Sequence, residues 1–112
     1  MNTTKNSNKK KNGKYDQYTH YFLTKMYKLF KDEPYIFTIK KIKGLHGLCD
    51  YVADEIKIDY RKSLIPTIIH EVMHYYYPMW SETKVIKEER KIVNYLSIRQ
   101  IKNIIKRFAN IL

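Results

Sequence analysis

Three features of the chain predict an α+β domain. Apolar residues recur at three- and four-residue spacing from about Tyr15 to Pro34, again through 64–76, and again through 82–110, the period of amphipathic helices. Between the first two stretches, aromatic and β-branched residues dominate 35–43 without clean alternation, and Ile56 and Ile58 alternate with Lys57 and Asp59 within 55–60, as strands do. Punctuation falls where these patterns change: Pro34, Ser63, Pro78, Ser81 and Ser97 each stand at a predicted boundary.

The elements follow in chain order. Residues 1–14 are Asn, Lys, Thr, Ser and Gly with no large apolar side chain after Met1, so burial cannot offset the entropy of ordering them. They are expected to be a disordered basic tail, with a single domain over 15–112. Tyr18, Tyr21, Phe22, Lys25, Met26 and Phe30 mark the first helix, with His20 as a surface or packing residue. Tyr35–Lys43 reads as a strand, and Gly44 and Gly47 bracket a loop that holds His46. Residues 48–52 and 55–60 are two shorter strands around a turn at Ala53-Asp54. Ser63 is expected to cap the next helix, with Pro66 in its first turn where a missing amide hydrogen costs nothing. That helix runs to about Tyr76, and Ile65, Ile68, Ile69, Val72, Met73 and Tyr76 require it to be largely buried. Ser81 opens a helix over about 82–95. Ser97 and Gln100, three apart, form a capping box for a last helix over 98–110.

Net charge is +11 and sits at the ends. Lys5, Lys9, Lys10, Lys11 and Lys14 occur without an acid in 1–14. Arg90, Lys91, Arg99, Lys102, Lys106 and Arg107 occur without one in 90–112. Such ends can hold a phosphate backbone or an anionic surface. The blander account is solubility together with the Lys, Asn, Ile and Tyr bias of an AT-rich genome. Cys49 is the single cysteine, so no internal disulfide forms and a reducing cytoplasm suits the chain. The lysines at the N-terminus are not followed by an apolar run, so neither a signal peptide nor a membrane span is expected.

His70-Glu71-Val72-Met73-His74 carries the chemistry. Residues four apart on a helix share a face, so two imidazoles can reach one zinc ion (Zn2+), while Glu71 can take a proton from a zinc-bound water. A histidine pair on a buried helix is costly without a partner, and a metal supplies one. The plain alternative is a surface helix that happens to carry two histidines and a glutamate. A catalytic zinc takes three protein ligands and a water, so a third ligand is needed. The helix that opens at Ser81 starts near His74, which puts Glu82 in the nearest turn. Glu88 and Glu89 lie roughly 9–10 Å further along the axis, yet antiparallel packing would bring them beside His70. The order of candidates is Glu82, Glu89, Glu88, with His46 outside them. As a first-turn acid, Glu82 also suits the helix dipole without any metal.

The run EIKIDYRKSLIPTIIHEVMHYYYPMWSETKV, ending at Val85, resembles small zincin-like metallopeptidases, including compact ones of phages and bacteria. The likeness covers about a quarter of the chain, and HExxH is its specific part. Metzincins ask for Gly and His where Tyr77 and Trp80 stand, and SprT-like proteases ask for a histidine after His74, where none follows. A glutamate third ligand, as in the glutamate-zincins, fits the resemblance. It implies a zincin core with a small antiparallel sheet against the HExxH helix, which with the elements above gives a minimal zincin-like fold: an N-terminal helix, a small three-stranded, mostly antiparallel sheet, the HExxH helix and two C-terminal helices. It also implies a peptide substrate lying along an edge strand, here 55–60 or 48–52. The expected function is a zinc-dependent hydrolase, a metallopeptidase with Glu71 as its base. A tyrosine is a plausible oxyanion donor, although packing is the first role for Tyr75, Tyr76 and Tyr77. The alternatives are a nucleic-acid-associated protein with a structural metal and basic ends, or a metal-dependent endoribonuclease.

Overall fold

A computed structural model describes residues 2–59, 61 and 63–112, with side chains from residue 17 onward. It has four helices and a three-stranded sheet: α1 (Asn2–Asp32), a 3-10 turn (Pro34–Ile36), β1 (Phe37–Ile39), β2 (Gly47–Asp50), β3 (Glu55–Ile58), α2 (Leu64–Tyr76), α3 (Glu82–Tyr95) and α4 (Ile98–Asn110). The backbone of the basic segment expected to be a tail continues α1. Met1, and the side chains on which that expectation turned, lie outside the described residues. From Thr19 onward α1 contributes to the core through Phe22, Leu23, Met26, Leu29 and Phe30.

The sheet is mixed. Its order is β1-β3-β2, with β2 antiparallel to β3 and β1 parallel to it. The expectation of a mostly antiparallel sheet is corrected at β1, because alternation along a strand fixes which face is buried and not the direction of its partner. The strand expected over 35–43 shrinks to three residues. Pro34 takes its start into the 3-10 turn, and beyond Lys40 the Ile42 amide donates to the Asp59 carboxylate at 2.9 Å. Asp59 is buried and also receives the Arg61 guanidinium at 2.7 Å, which holds its carboxyl well below the usual range. β3 stops at Ile58, and Tyr60, the end of the strand expected there, is outside the described residues. The turn at 53–54 forms as read. Asp50 accepts from the amides of Val52 and Ala53 at 3.1 and 3.0 Å, and Asp54 takes the left-handed conformation that Asp tolerates.

α2 lies against β2 and β3 on one side and α3 on the other, while α1 packs on α3 and α4 closes over α1 and α2. Ile56, Ile58, Ile68, Ile69, Val72 and Met73 are fully buried between these layers. Phe37 joins Phe30 and Phe108 edge-on, with ring centroids 5.0 and 5.8 Å away. Two of the three serine caps form as expected: Ser81 accepts from the Lys84 amide, and Ser97 and Gln100 complete their capping box. Ser63 precedes α2 without a side-chain cap. A cap bonds the second or third helical amide, and the third residue here is Pro66, which has none. Among the described residues, no helix is long and apolar enough to cross a membrane.

Candidate metal centre

α2 sets His70 and His74 one turn apart, their ring centroids 4.9 Å from each other. Pro78 ends the apolar run, and Tyr77 stacks flat on Trp80 at 4.1 Å, so α3 begins at once and folds back along α2. That antiparallel return brings both ends of the Glu82–Glu89 face to the histidines. Glu82 Oε1 lies 2.7 Å from His74 Nε2 and 3.1 Å from His70 Nε2. Two turns on, Glu89 Oε1 lies 2.8 Å from His70 Nδ1. The donor atoms of His70, His74 and Glu82 all fall within 4.8 Å of one another. The imidazoles are mostly covered, at 14% and 19% exposure, and Glu82 is open to solvent at 63%.

The sequence candidates thus take different places. Glu82 faces both Nε2 atoms. Glu89 contacts the far nitrogen of His70, and a carboxylate only accepts, so Nδ1 carries its proton there. Glu88 turns away to the Tyr18 hydroxyl at 2.9 Å and Lys91 at 3.2 Å. His46 lines the cleft but stands outside the three-residue group. Tyr76 donates to the Lys25 carbonyl and Tyr77 accepts from the Lys25 ammonium, the packing roles expected of them. Tyr51 was not singled out by the sequence. Its hydroxyl donates to the His74 carbonyl at 2.7 Å and its ring lines the cleft.

The electrostatics fit a cation. The hydrogen bond to Glu89 raises the His70 pKa, against desolvation, with Glu71 and Glu82 adding to it. Burial raises Glu82, but its contacts with His74 and His70 outweigh that and bring it below its ordinary value. A lone-pair nitrogen facing a carboxylate oxygen at 3.1 Å repels it unless a proton or a metal lies between them. His70 with Nδ1–H on Glu89 therefore has its second nitrogen suited to a metal that displaces a proton. Glu89→Gln is expected to weaken metal affinity by about 10–100-fold while leaving the ligand count unchanged, as read by competition with a chelator.

Glu71 lies beside the group, under β2, and borders the cleft. It is 7% exposed, and burial pushes its carboxyl up to about 7, against the lowering effect of His70 and of the Cys49 amide. Gly47 makes this fit possible. A Cβ there would meet Thr67 Cγ2 at 2.8 Å, Glu71 Cγ at 2.9 Å and the Lys57 carbonyl at 3.0 Å. Gly47→Ala should therefore lift β2 from α2, displace Glu71 and cost roughly 1–3 kcal/mol in chemical denaturation. Unchanged stability would mean that β2 is free to shift.

Two cavities, of about 500 and 260 Å³, meet at this point, sharing Leu45, Gly47, His70, Glu71 and Glu82. Fold and site together define a small α+β domain in which two histidines and a glutamate converge at a cleft, with a buried glutamate beside them. Comparison of the chain with protein-family models, curated proteins and solved structures gave no match.

Proposed function

We propose that the protein is a zinc-dependent hydrolase, a metallopeptidase of zincin-like architecture. The observation that carries this is the convergence of His70 Nε2, His74 Nε2 and Glu82 Oε1 beside a buried carboxylate in an open cleft. His70, His74 and Glu82 would hold the metal, with Glu89 fixing the His70 ring. A zinc ion so held acidifies water and polarises a carbonyl.

The remaining roles belong to the chain. Glu71, with a pKa near neutrality, is suited to accept a proton from the attacking water and return it to the leaving amine. β2 is an edge strand, whereas β3 is paired on both sides, so of the two segments considered for strand addition only β2 has a free edge. An extended peptide along β2 would cross the cleft beside Glu71. A purely structural metal site is normally closed by four protein ligands. Here the group has three among the described residues and borders two cavities, which favours catalysis over a structural role.

The test is incubation of the zinc-loaded chain with a degenerate peptide mixture, the products being read by mass spectrometry. Cleavage that stops on chelation and returns with zinc is the expected result. Absence of any cleavage with zinc bound would contradict the assignment.

A further inference from the structure

The cleft is electrically polarised along its length. On the His74 side, the smaller cavity is lined by Glu71 and Glu82, with no lysine or arginine among its described lining residues. On the other side, the larger cavity passes Ile86 and reaches Arg90. Ile86 and Arg90 also line an adjoining cavity of about 450 Å³ that carries Lys87 and Lys91, and no carboxylate lines it among the described residues. Lys91 is engaged by Glu88 at 3.2 Å. Lys87 and Arg90 are exposed and, with Thr83 and Asn94, share one face of α3 by their spacing. Arg90 stands eight residues beyond Glu82, ~12 Å along the helix axis at ~1.5 Å per residue. That is roughly three to four residues of extended chain at ~3.3 Å each.

We propose that this cleft selects peptides with an acidic segment, a carboxylate about three or four residues from the bond held at His70, His74 and Glu82 being met by Arg90 and flanked by Lys87. The proposal rests on the reading of the cleft as a peptide site. The acidic partner belongs on the Arg90 side because the cavity there carries Lys87 and Arg90 and no carboxylate among its described lining residues, whereas Glu71 and Glu82 line the cavity on the His74 side. A peptide suits the groove better than a nucleic acid. The free edge of β2 offers backbone donors and acceptors that an extended peptide satisfies. Apart from the imidazoles of His46 and the metal-site His70, the larger cavity has no aromatic ring among its described lining residues on which a base could stack.

The test is fluorescence anisotropy on the full chain, with and without zinc. Three fluorescein-labelled probes serve: a ten-residue peptide with three consecutive glutamates, the same peptide with glutamines, and a ten-nucleotide oligothymidylate. The glutamate peptide should bind about tenfold or more tightly than the glutamine peptide, as two exposed charge pairs at low salt allow. Lys87→Glu/Arg90→Glu should erase that preference. Lys31→Glu/Lys106→Glu, an equal charge change elsewhere, should retain it. Both residues of the groove pair are exposed, and Lys87→Gln/Arg90→Gln provides a milder variant with the same expected loss. Equal binding of the two peptides would overturn the proposal, as would an equal loss in the Lys31/Lys106 control, which would trace the preference to net charge. Tighter binding of the oligonucleotide that depends on Lys87 and Arg90 would overturn it in favour of nucleic acid. Zinc uptake with cleavage of neutral peptides but no glutamate preference would overturn this proposal alone. A glutamate preference in a chain that takes up no zinc would overturn the hydrolase reading and leave the groove's selectivity standing.

Discussion

His70→Ala and His74→Ala should each abolish zinc retention, while the unaltered protein carries about one zinc per chain through gel filtration. The expectation follows from geometry: each imidazole supplies one of three donors converging within 4.8 Å, and the two remaining cannot hold zinc as a catalytic site does. The variants should fold. His70 and His74 border the cleft and lie outside the fully buried core, which α2 supplies through Ile68, Ile69, Val72 and Met73 on its other faces. A thermal readout separates metal loss from unfolding. Zinc at about 100 times its Kd should stabilise the unaltered chain by about 2.7 kcal/mol. At roughly 4–8 °C per kcal/mol for a domain near this size, that corresponds to a melting-temperature rise of roughly 10–20 °C. Neither variant should respond. Zinc retention in both would remove the site.

Glu71→Gln should keep zinc and lose turnover by about 10²–10⁴-fold. The amide has the shape of the carboxylate and can still accept from the Cys49 amide, but it cannot take a proton. The same substitution has a pH signature in the metal-free protein. Burial raises the folded pKa of Glu71 to about 7, so the fold disfavours its ionised form. Its ordinary value is near 4.3. Below that, the carboxyl is protonated in both folded and unfolded chains and costs nothing. Between there and about 7 the folded chain retains a proton that the unfolded chain releases, and stability falls as pH rises. Glu71→Gln should therefore match the unaltered chain near pH 4 and exceed it increasingly up to about pH 7, by at most roughly 3 kcal/mol. Denaturant midpoints across that range measure the difference. A variant less stable at pH 8 than the unaltered chain would mean that the carboxylate is held by contacts stronger than its desolvation.

Local signals in the chain carried most of the architecture. The serine caps place α3 and α4 to within a residue, because capping is decided by the hydrogen bond that one side chain accepts from the amide three residues on. The same reasoning failed at Ser63 for an equally local cause, since Pro66 occupies the position of the amide it would bond. What the sequence could not carry was pairing at a distance. Nothing in Phe37–Ile39 distinguishes a parallel from an antiparallel partner, and β1 lies beside β3 only because the hairpin turns β3 between the other two strands.

The site divides in the same way. The His70–His74 face follows from helical periodicity alone, and the nearness of Glu82 follows from the short turn after Tyr76. The roles of Glu88 and Glu89 depend on how α3 is rolled about its axis, which one residue of register reverses: Glu89 faces His70, and Glu88 faces Tyr18. The seven-residue interval from Glu82 to Glu89 was the available clue, since two turns return to one face. Gly47 and Tyr51 act across the sheet, where sequence spacing says nothing.

The most direct measurement is a crystal structure of the zinc-loaded protein with anomalous data at the zinc edge. One site per chain is expected, ligated by Nε2 of His70, Nε2 of His74 and a carboxylate oxygen of Glu82, with Glu89 on Nδ1 of His70 and Glu71 beside an open fourth position. A zinc held without Glu82, a fourth protein ligand closing the site, or no zinc at His70 and His74 would contradict it.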